Sequence, residues 1–440
     1  MAGASTSGNM STKLAKVKER ARREPGGRFH ALAYLINEAA LERAYGRIRA
    51  NAAVGVDGVS KEDYGQNLRQ NLKGLHERLV SGRWRHQAIR RVHLPKEDGK
   101  TRPIGISTVE DKVVQQALRE VLEAVYETDF LPCSYGFRPG RSAHDAIREL
   151  TGALYREEVT VVLECDIRAY FDSLDRSKLK EMLRERIADG SLMRLIGKCL
   201  RAGVLDGAEY LEPEEGTAQG SILSPLLGNI SLHYVMDRWF ETEVRPRLRG
   251  KAILCRYADD LVIGFERADD AERVFRVLPK RMAKYGLELH SEKTRLLPFE
   301  RPYRGQRRSK GPGTFDFLGF TWYWERSRQG LWQARVKTRS ARRQRAVTRI
   351  GAWCKRQRHL PVKEQHEGLV RRVRGHLNYF GVNGNRRSLQ GFVYAVRRVW
   401  HKWLCRRSQR APMTWKRFGA LLERYPLPRP RICVEIWGRA

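Results

Sequence analysis

The sequence predicts an α+β protein in which an antiparallel sheet carries acidic residues and basic helices follow it. Two observations predict the sheet. The apolar, β-prone runs Ile253–Tyr257 and Leu261–Phe265 flank two adjacent carboxylates, and Val159–Cys165 has the pattern of a buried strand. The third observation is a set of apolar residues that recur at helical spacing in the last third of the chain, which predicts three packed helices.

The charge of the chain is concentrated near its C-terminus. The 440 residues include 85 Lys and Arg against 50 Asp and Glu, a net charge of +35. Residues 301–440 contain 35 basic and 6 acidic side chains, so the first 300 residues carry only +6. Eight of the ten Trp lie in the same basic region. Basic side chains interleaved with aromatic ones favour a nucleic-acid partner, and a basic membrane-surface domain is the alternative.

The cysteines and the N-terminus indicate a cytoplasmic protein. Seven cysteines are scattered without a C-x-x-C pair or a Cys/His spacing, so neither a zinc ribbon nor a disulfide framework is expected. The N-terminus lacks the apolar core of a signal peptide, and no uncharged apolar run reaches membrane-spanning length. We therefore expect a protein of the reducing cytosol with no membrane partner.

The acidic hairpin is the first candidate site. Ala258 supplies a tight turn beside Asp259 and Asp260, and two neighbouring carboxylates are stabilised by a cation between them. Carboxylate oxygens suit Mg²⁺. A solvated turn is the alternative, because Tyr-x-Asp-Asp alone is a short pattern.

Asp166 extends this site, since it directly follows the strand Val159–Cys165. With Asp259 and Asp260 it gives three acids on adjacent strands. Three carboxylates can hold two Mg²⁺ ions about 3.5–4 Å apart for in-line phosphoryl transfer. One ion would lower the pKa of an attacking hydroxyl, and the other would hold a triphosphate.

Residues 92–106 predict a second hairpin. Gly99-Lys100-Thr101 is similar to the end of a phosphate-binding loop, but the upstream glycine that such a loop needs would stand at Leu94. The hairpin instead presents Lys96 and Arg102, spaced so that both could reach one polyphosphate. A solvated hairpin tip is the alternative.

Helices are predicted from Glu110 to Tyr126 and after the capping-box pair Ser142 and Asp145.

Phe171 lies five residues beyond Asp166 and could press on the sugar of a nucleotide, excluding a 2′-hydroxyl; a core aromatic is the alternative. Residues 215–225 form a small-residue loop before a long helix, and such a loop lets a backbone approach a nucleotide closely.

The order of these elements resembles bacterial group II intron-encoded reverse transcriptases, also called maturases. The resemblance covers roughly residues 30 to 405. It is carried by the Lys96/Arg102 hairpin, Tyr135–Ser142, Asp166–Phe171, Gln219–Pro225, Tyr257–Asp260, Gly286–Thr294, Phe317–Phe320 and His376–Phe380. The Cys/His-rich HNH nuclease domain of some relatives is not found in the sequence, so DNA cleavage is not expected.

The resemblance implies a right-hand polymerase with fingers, an antiparallel-sheet palm and an all-α thumb, or maturase domain. It implies two Mg²⁺ ions held by catalytic residues Asp166, Asp259 and Asp260, with help from the Ile167 carbonyl. The residues implied to bind dNTP are Lys96, Arg102, Phe171, Gln219 and Lys293, of which Phe171 is the sugar gate and Lys293 a proton donor to pyrophosphate. Those implied to support the primer are Phe317, Leu318, Gly319 and Phe320.

Two departures from the family pattern, Ala218 and Ser221, put the rigidity of the nucleotide loop in doubt but not its chemistry.

We expect a flexible basic arm at 1–28, an N-terminal fingers extension at 29–90 and fingers plus palm at 91–325, with a basic loop at 301–313. A helical thumb at 326–410 and a short DNA-binding remnant at 411–440 complete the expected organisation.

The helices of the expected thumb carry arginines between their apolar stripes, and these are the candidate RNA-binding residues. They are Arg342, Arg343, Arg345, Arg371, Arg372, Arg374, Arg386, Arg387, Arg397 and Arg398. The implied partners are group II intron RNA, an RNA template with a DNA primer, and target DNA, in a nucleoid-associated ribonucleoprotein. No protein partner is indicated.

The leading hypothesis is an RNA-dependent DNA polymerase that also assists intron splicing and retrohoming. A splicing cofactor with a vestigial polymerase site is one alternative, and a related reverse transcriptase recruited to phage defence is another. A third is an RNA-dependent RNA polymerase, in which Asp172 would bind a ribose 2′-hydroxyl. If NTPs served as well as dNTPs, Phe171 would not be the gate.

Overall fold

The computed structural model describes residues 12–95, 101–207, 209–211, 216, 220–302, 313–327, 329–407 and 413–437. Helices in these ranges are Thr12–Arg23 (α1), Glu38–Arg47 (α2), Lys61–Gln66 (α3), Leu68–Val80 (α4), Val109–Tyr126 (α5), Ala143–Arg156 (α6), Arg176–Arg184 (α7), Gly190–Leu200 (α8), Ser224–Leu232 (α9), Ala268–Lys284 (α10), Ser340–Arg356 (α11), Val362–Phe380 (α12), Arg386–Leu404 (α13) and Trp415–Arg424 (α14). Strands are Ile89–Pro95 (β1), Thr101–Ile106 (β2), Val161–Asp166 (β3), Val204–Asp206 (β4), Glu209–Leu211 (β5), Ala252–Tyr257 (β6), Asp260–Phe265 (β7), Arg295–Pro298 (β8), Phe315–Phe317 (β9), Phe320–Arg326 (β10) and Trp332–Thr338 (β11).

The central sheet has the strand order β6-β7-β3-β8, and all its neighbours are antiparallel. Its strands are rich in Val, Ile and Leu, which suit a pleated surface that is buried on both faces. Helices α5 and α9 contribute to the core on one face, and α6 with the C-terminal helices contributes to the core on the other. This sheet is the expected antiparallel palm, and the α+β fold class is confirmed.

The acidic hairpin forms as expected. Tyr257 pairs with Asp260 in the ladder, which leaves Ala258 and Asp259 as a two-residue turn. Ala258 has a φ of 56°. This left-handed conformation costs a residue with a Cβ roughly 1–2 kcal/mol. Neighbouring contacts must therefore hold the turn in place.

Arg256 provides one of those contacts from a fully buried position. Its Nη1 donates to the carbonyl of Ala258 at 3.0 Å and to Oδ1 of Asn229 at 2.9 Å. Its Nε and Nη2 donate to the two carboxylate oxygens of Asp237 at 2.7 and 2.5 Å, and Nη2 also donates to Oγ of Ser134 at 2.7 Å. One guanidinium thus joins the turn to α9, to the π-helical segment His233–Asp237 and to the loop before α6.

The smaller N-terminal sheet has the order β2-β1-β4-β5. Strands β1 and β2 are antiparallel, with Leu94 opposite Arg102, so the second hairpin is confirmed. The tip of this hairpin, with Lys96, lies outside the described residues.

The N-terminal region corrects the expectation of a flexible arm. Residues 12–23 form α1, which packs against α5 and buries Leu14 and Ala21. Arg186 fixes the end of this segment, because its guanidinium donates to the carbonyls of Ala21, Glu24 and Gly27. Arg186 is also ion-paired with Asp129 at 2.9 Å. Residues 1–11 are outside the described ranges.

A third sheet, β11-β10-β9, leads into the expected thumb. Strand β11 pairs along its length with β10, so the sheet extends to Thr338. The expected start of an all-helical domain at residue 326 is therefore too early, since helices begin with α11. The three predicted helices are α11, α12 and α13, and α14 follows them.

The segment 413–437 packs onto the thumb and the palm. Phe418, Leu427 and Ile436 are buried in a core that also contains residues of α6 and the palm sheet. Val434 pairs with Val382, and Arg148 of α6 donates to the carbonyl of Glu435 at 3.1 Å. This segment is structurally integral, and its proposed DNA binding stays a prediction.

Two expectations about the whole chain can be compared with the structure. All seven cysteines are in described positions and are recorded as free thiols. None of the described helices is both long enough and apolar enough to cross a membrane.

We predict that Asp237→Ala lowers the free energy of unfolding by roughly 3–5 kcal/mol, because it leaves the buried guanidinium of Arg256 without its countercharge. Chemical denaturation followed by circular dichroism measures the change. The matched control is Arg238→Ala, which removes the exposed ion pair with Glu185 and should cost less than about 1 kcal/mol. Equal effects of the two substitutions would show that the buried pair is not a major constraint.

Candidate active site

Three aspartates lie together at one edge of the palm sheet. In the antiparallel register of β3 and β7, Asp166 stands directly opposite Asp260. Asp259 precedes Asp260 in the turn. Asp260 keeps exposed surface at the sheet edge, although surrounding protein atoms partly desolvate its carboxylate, and Asp259 is half-buried. The structure therefore brings together the three carboxylates that the sequence predicts.

The crowding of acids changes the ionisation of Asp260. Desolvation by surrounding protein atoms, and then the negative charges of Asp259 and Asp166, raise the pKa of Asp260 from 3.8 to about 6. The cations of Arg342 and Lys293 oppose this shift. The edge of the sheet is thus a place of negative potential that favours a bound cation.

The ammonium group of Lys293 lies at this acidic edge of the sheet. Its Nζ lies 2.7 Å from Oδ2 of Asp166. The same segment supports the strand end, since the amide of His290 donates to the Asp166 carbonyl at 2.8 Å. Lys293 therefore lies beside Asp166, and its role as a proton donor stays a prediction.

The donor atoms fit a divalent ion such as Mg²⁺, because carboxylate and carbonyl oxygens are its preferred ligands. Residue 167 pairs with Leu289 through the carbonyl of Asp166 and the amide of Arg168, so this bridge does not use the Ile167 carbonyl. Among the residues that the structure describes, no three His, Cys, Asp or Glu side chains close around a common point. Ligation through Oδ2 of Asp166 therefore requires exchange of the Lys293 ammonium for the ion.

A cleft of about 310 Å³ extends from these carboxylates toward the thumb. On its far side is the turn between β9 and β10, in which Leu318 and Gly319 have φ values of 49° and 81°. Positive φ at both central residues is typical of a type I′ hairpin turn. The turn is held by the thumb, because Tyr379 Oη donates to the Leu318 carbonyl at 2.9 Å and the amide of Arg339 donates to the Gly319 carbonyl at 3.0 Å.

The comparison with known proteins decides the family. Residues 94–322, more than half of the chain, match the family model described as reverse transcriptase (RNA-dependent DNA polymerase). The chain belongs to the reverse transcriptase family. The matched range contains the three aspartates, Lys293 and the turn at residues 318–319.

Among similar proteins, Protein YkfC of Escherichia coli K12 is 37% identical over 237 residues, which are 48% of this chain and 62% of that protein. The group II intron-encoded protein LtrA of Lactococcus lactis is 36% identical over 205 residues, 46% of this chain and 33% of LtrA. The nuclear intron maturase 2 of Arabidopsis thaliana is 29% identical over 178 residues, 32% of this chain and 24% of that protein. The matches thus span from about a quarter to just under two thirds of these relatives.

The four residues predicted to support the primer differ in burial. The side chains of Phe317 and Phe320 are 5% and 0% exposed and belong to the core. Leu318 and Gly319 are half-buried and line the cleft. The two rings therefore fix the turn, and the turn itself faces the space beside the carboxylates.

Phe171 is half-buried beside α9, where Gly228 has no side chain that would crowd its ring. A Cβ on Gly228 would lie 3.1 Å from the Phe171 ring. The neighbouring Tyr170 is anchored by a hydrogen bond of 2.7 Å from its hydroxyl to the Gly228 carbonyl. The Phe171 ring therefore lies close to the backbone of α9, in space that a side chain at residue 228 would reach.

Several of the remaining residues predicted to bind the nucleotide lie outside the described part of the chain. Gln219 and Ala218 lie outside the described residues, as does Lys96, and the side chain of Arg102 is also outside them. Gly220 packs on β2, because a Cβ there would lie 2.5 Å from the Gly105 carbonyl oxygen. Ser221 is hydrogen-bonded through its hydroxyl to Oε1 of Gln115 at 3.2 Å, and this contact restrains the loop at the second departure from the family pattern.

The candidate RNA-binding arginines lie on α11, α12 and α13, and most are exposed. Arg343 and Arg345 are half-buried. Arg342 lines the cleft beside Asp260, so it belongs to the catalytic region as well as to the thumb. Arg372 lies over the Trp353 ring at 4.3 Å.

Two features were missed by reasoning from the sequence. Arg256 was included in an apolar run, although a charged residue inside such a run is itself a signal of a buried polar network. Phe137 is 49% exposed, has a φ of 58° and lies beside Tyr257, with a ring-centroid distance of 6.4 Å. Its unusual backbone conformation could not be read from its residue type, because phenylalanine rarely adopts positive φ.

We predict that divalent-ion affinity rises with pH through about 6. Because the pKa of Asp260 is raised, its carboxyl holds a proton at pH 5, where an ordinary Asp is ionised, and an ion must displace that proton. Titration calorimetry with Mn²⁺ between pH 5 and 7.5 would show weaker binding and greater proton release at the acidic end. Asp260→Asn should remove this dependence, and pH-independent affinity in the unsubstituted protein would contradict the prediction.

Proposed function

We propose that this protein is an RNA-dependent DNA polymerase that uses two Mg²⁺ ions and dNTPs, binds a group II intron RNA, assists its splicing and supports retrohoming. The observation that carries the polymerase proposal is the register that sets Asp166 opposite Asp260 beside Asp259. It supports two-metal phosphoryl transfer because the three carboxylates are neighbours at one edge of the sheet, where they could hold two ions. Membership of the reverse transcriptase family supports the same chemistry.

In the proposed reaction, the aspartates hold the ions and Lys293 acts next to them. Bound Mg²⁺ would lower the pKa of the primer 3′-hydroxyl and neutralise the triphosphate. The Lys293 ammonium lies 2.7 Å from Asp166 until an ion displaces it, and the displaced ammonium would donate a proton to the departing pyrophosphate. Arg342, which lines the same cleft, would add positive charge toward the nucleic acid.

Nucleotide selection would depend on the wall formed by Phe171. Its ring is fixed against Gly228, so it cannot retreat from a ribose 2′-hydroxyl without disturbing α9. Lys96 and Arg102 would contact the triphosphate, and Gln219 would complete the nucleotide pocket. The Leu318–Gly319 turn would support the primer end.

The RNA-binding part of the proposal is supported by charge and by similarity. The exposed arginines of α11, α12 and α13 offer a surface for phosphates. Proteins similar to this chain include a group II intron-encoded protein and an intron maturase. The proposed ligands are intron RNA, the template–primer duplex and target DNA.

We predict that Asp259→Ala abolishes dNTP incorporation on an RNA template while RNA affinity changes less than about twofold, because one carboxylate contributes little to phosphate binding. Primer extension and filter binding measure the two properties. Asp269→Ala, which removes an exposed carboxylate paired with Arg267, is the matched control and should extend the primer normally. Polymerisation that survives Asp259→Ala, or an unsubstituted protein that cannot extend a primer, would refute the assignment.

A further inference from the structure

A cavity of about 370 Å³ opens between α7 and α8 and shares no lining residue with the catalytic cleft. Half of its lining residues are basic, and none of them, in the described part of the chain, is acidic. The basic residues are Arg28, Lys180, Arg184, Arg194 and Arg201. The cavity is therefore a concentrated cationic site outside both the polymerase cleft and the thumb.

Helical spacing brings four of these cations together. Lys180 and Arg184 are four residues apart on α7 and so share one face. Arg194 lies on α8 and Arg201 directly follows the helix seven residues later, close to the same face. Between them is Gly197, where a Cβ would stand 3.4 Å from the Arg201 guanidinium.

The fifth cation comes from a distant part of the chain. Phe29 pairs with Ile187 in an isolated parallel bridge, with hydrogen bonds from Phe29 N to the Arg186 carbonyl and from Ala188 N to the Phe29 carbonyl. This bridge sets Arg28 beside the connection between α7 and α8. The cluster is thus built by tertiary structure and is not a run of basic sequence.

The acidic residues of the same helices point elsewhere. Glu181 and Glu185 line a different cavity, and Glu185 is bonded to Arg238 at 3.1 Å. The Asp189 carboxylate accepts four backbone amides and so caps α8 and holds residues 32–33. Desolvation and then the charges of Arg201 and Arg184 lower the pKa of Lys180, as expected for cations that lack a countercharge.

We propose that this cavity binds the phosphodiester backbone of a folded nucleic acid at a second site, separate from the template–primer cleft. Interfaces with nucleic acid are polar and strongly positive, whereas protein interfaces usually centre on aromatic and apolar residues. The apolar lining here consists of Ile187, Ala188 and Met193, of which Ile187 is buried and the others are half-buried. A phosphate chain fits this lining better than an acidic protein does.

The test compares two triple variants of the full chain. Arg184→Gln, Arg194→Gln and Arg201→Gln together remove three exposed charges from the cavity. Arg69→Gln, Lys73→Gln and Arg276→Gln remove three exposed charges from α4 and α10 and form the matched control. Fluorescence anisotropy with a labelled RNA hairpin, and with a DNA hairpin of the same sequence, is measured across a salt series.

The cavity variant should bind the hairpin roughly tenfold more weakly or worse, and the slope of log affinity against log salt concentration should become shallower by about one unit for each phosphate that the variant no longer binds. Its primer extension on a short duplex should equal that of the unsubstituted protein, so this result is independent of the polymerase assignment. If the affinity for the RNA hairpin falls further than that for the DNA hairpin, RNA is the natural ligand of the cavity. The reverse result identifies DNA. Equal weakening in both triple variants, or a cavity that prefers a polyglutamate peptide to either hairpin, would overturn the proposal.

A different observation supports a second inference, which rests on the proposed polymerase function. Phe137 combines a left-handed backbone with an exposed aromatic ring next to the acidic turn. The residues immediately before and after Phe137 in the chain are both held by their surroundings. A Cβ on Gly136 would lie 2.4 Å from the Ala258 amide nitrogen, and Arg138 is buried with hydrogen bonds to Glu127 and to the carbonyls of Leu131 and Ser134.

Neither property of Phe137 stabilises the protein by itself. Positive φ is costly for a bulky residue, and an exposed ring gains little from burial. Strain of this kind persists where surrounding structure imposes it, and it is concentrated at functional sites. The ring of Tyr257, two residues before Asp259 in the chain, lies next to that of Phe137 and is tilted by 41° to it.

We infer that Phe137 forms a platform for the sugars and base edges of the template–primer duplex next to the reacting 3′-hydroxyl. An aromatic side chain that packs on a nucleic acid typically changes affinity by roughly tenfold. Such a contact would align the primer end over the carboxylates. Phe137 would then affect duplex binding and not the chemistry of the metal site.

The decisive substitution is Phe137→Gly, which removes the ring and also relieves the left-handed strain. We expect an unchanged or higher melting temperature, about tenfold weaker binding of a short primer–template, and recovery of binding in Phe137→Tyr. Tyr34→Ala, an exposed aromatic on the N-terminal region, is the control and should bind the duplex normally. Normal duplex binding by Phe137→Gly, or a lowered melting temperature, would overturn this inference, whereas failure of the unsubstituted protein to extend a primer would refute the polymerase proposal itself.

Discussion

The geometry of the catalytic edge depends on one buried guanidinium. Arg256 is a strand residue, yet it is hydrogen-bonded to a turn, to a palm helix and to the loop before α6. Its backbone takes part as well, because its amide donates to Cys133 and its carbonyl accepts from Tyr135. A charge in such a position is tolerated only when all its donors are satisfied. This requirement ties the position of Asp259 to three separate parts of the chain.

The groups around the carboxylates are likewise held by the surrounding fold, although the cleft is open to solvent. Asp166 and Asp260 stand at the ends of paired strands, while Lys293 and the Leu318–Gly319 turn approach from later segments. Each of these groups is held by backbone hydrogen bonds or by a core residue behind it. The carboxylates can therefore remain near one another, with one pKa raised, because folding elsewhere compensates for their repulsion.

Alternating and helical patterns made much of this architecture predictable. The strands around Asp166 and Asp259, the capping box at Ser142 and the thumb helices follow from local residue preferences and were confirmed. Contacts between distant segments could not be predicted in the same way. Hydrogen bonds from the Arg186 guanidinium to backbone carbonyls hold the end of the N-terminal helix that was expected to be a flexible arm, and the partners of Arg256 come from three regions. Such contacts depend on tertiary register, which a residue pattern does not encode.

The packing of residues 413–437 has a consequence for the order of folding during synthesis. The core behind the palm sheet combines Tyr135, Val262 and Trp322 with Phe418 and Ile436. A ribosome exposes these residues in sequence, so that face of the sheet stays incomplete until the last of them emerges. Domains often fold as units while translation proceeds. Here the core behind the palm sheet would be complete only after residues 413–437, which follow the thumb, have been synthesised.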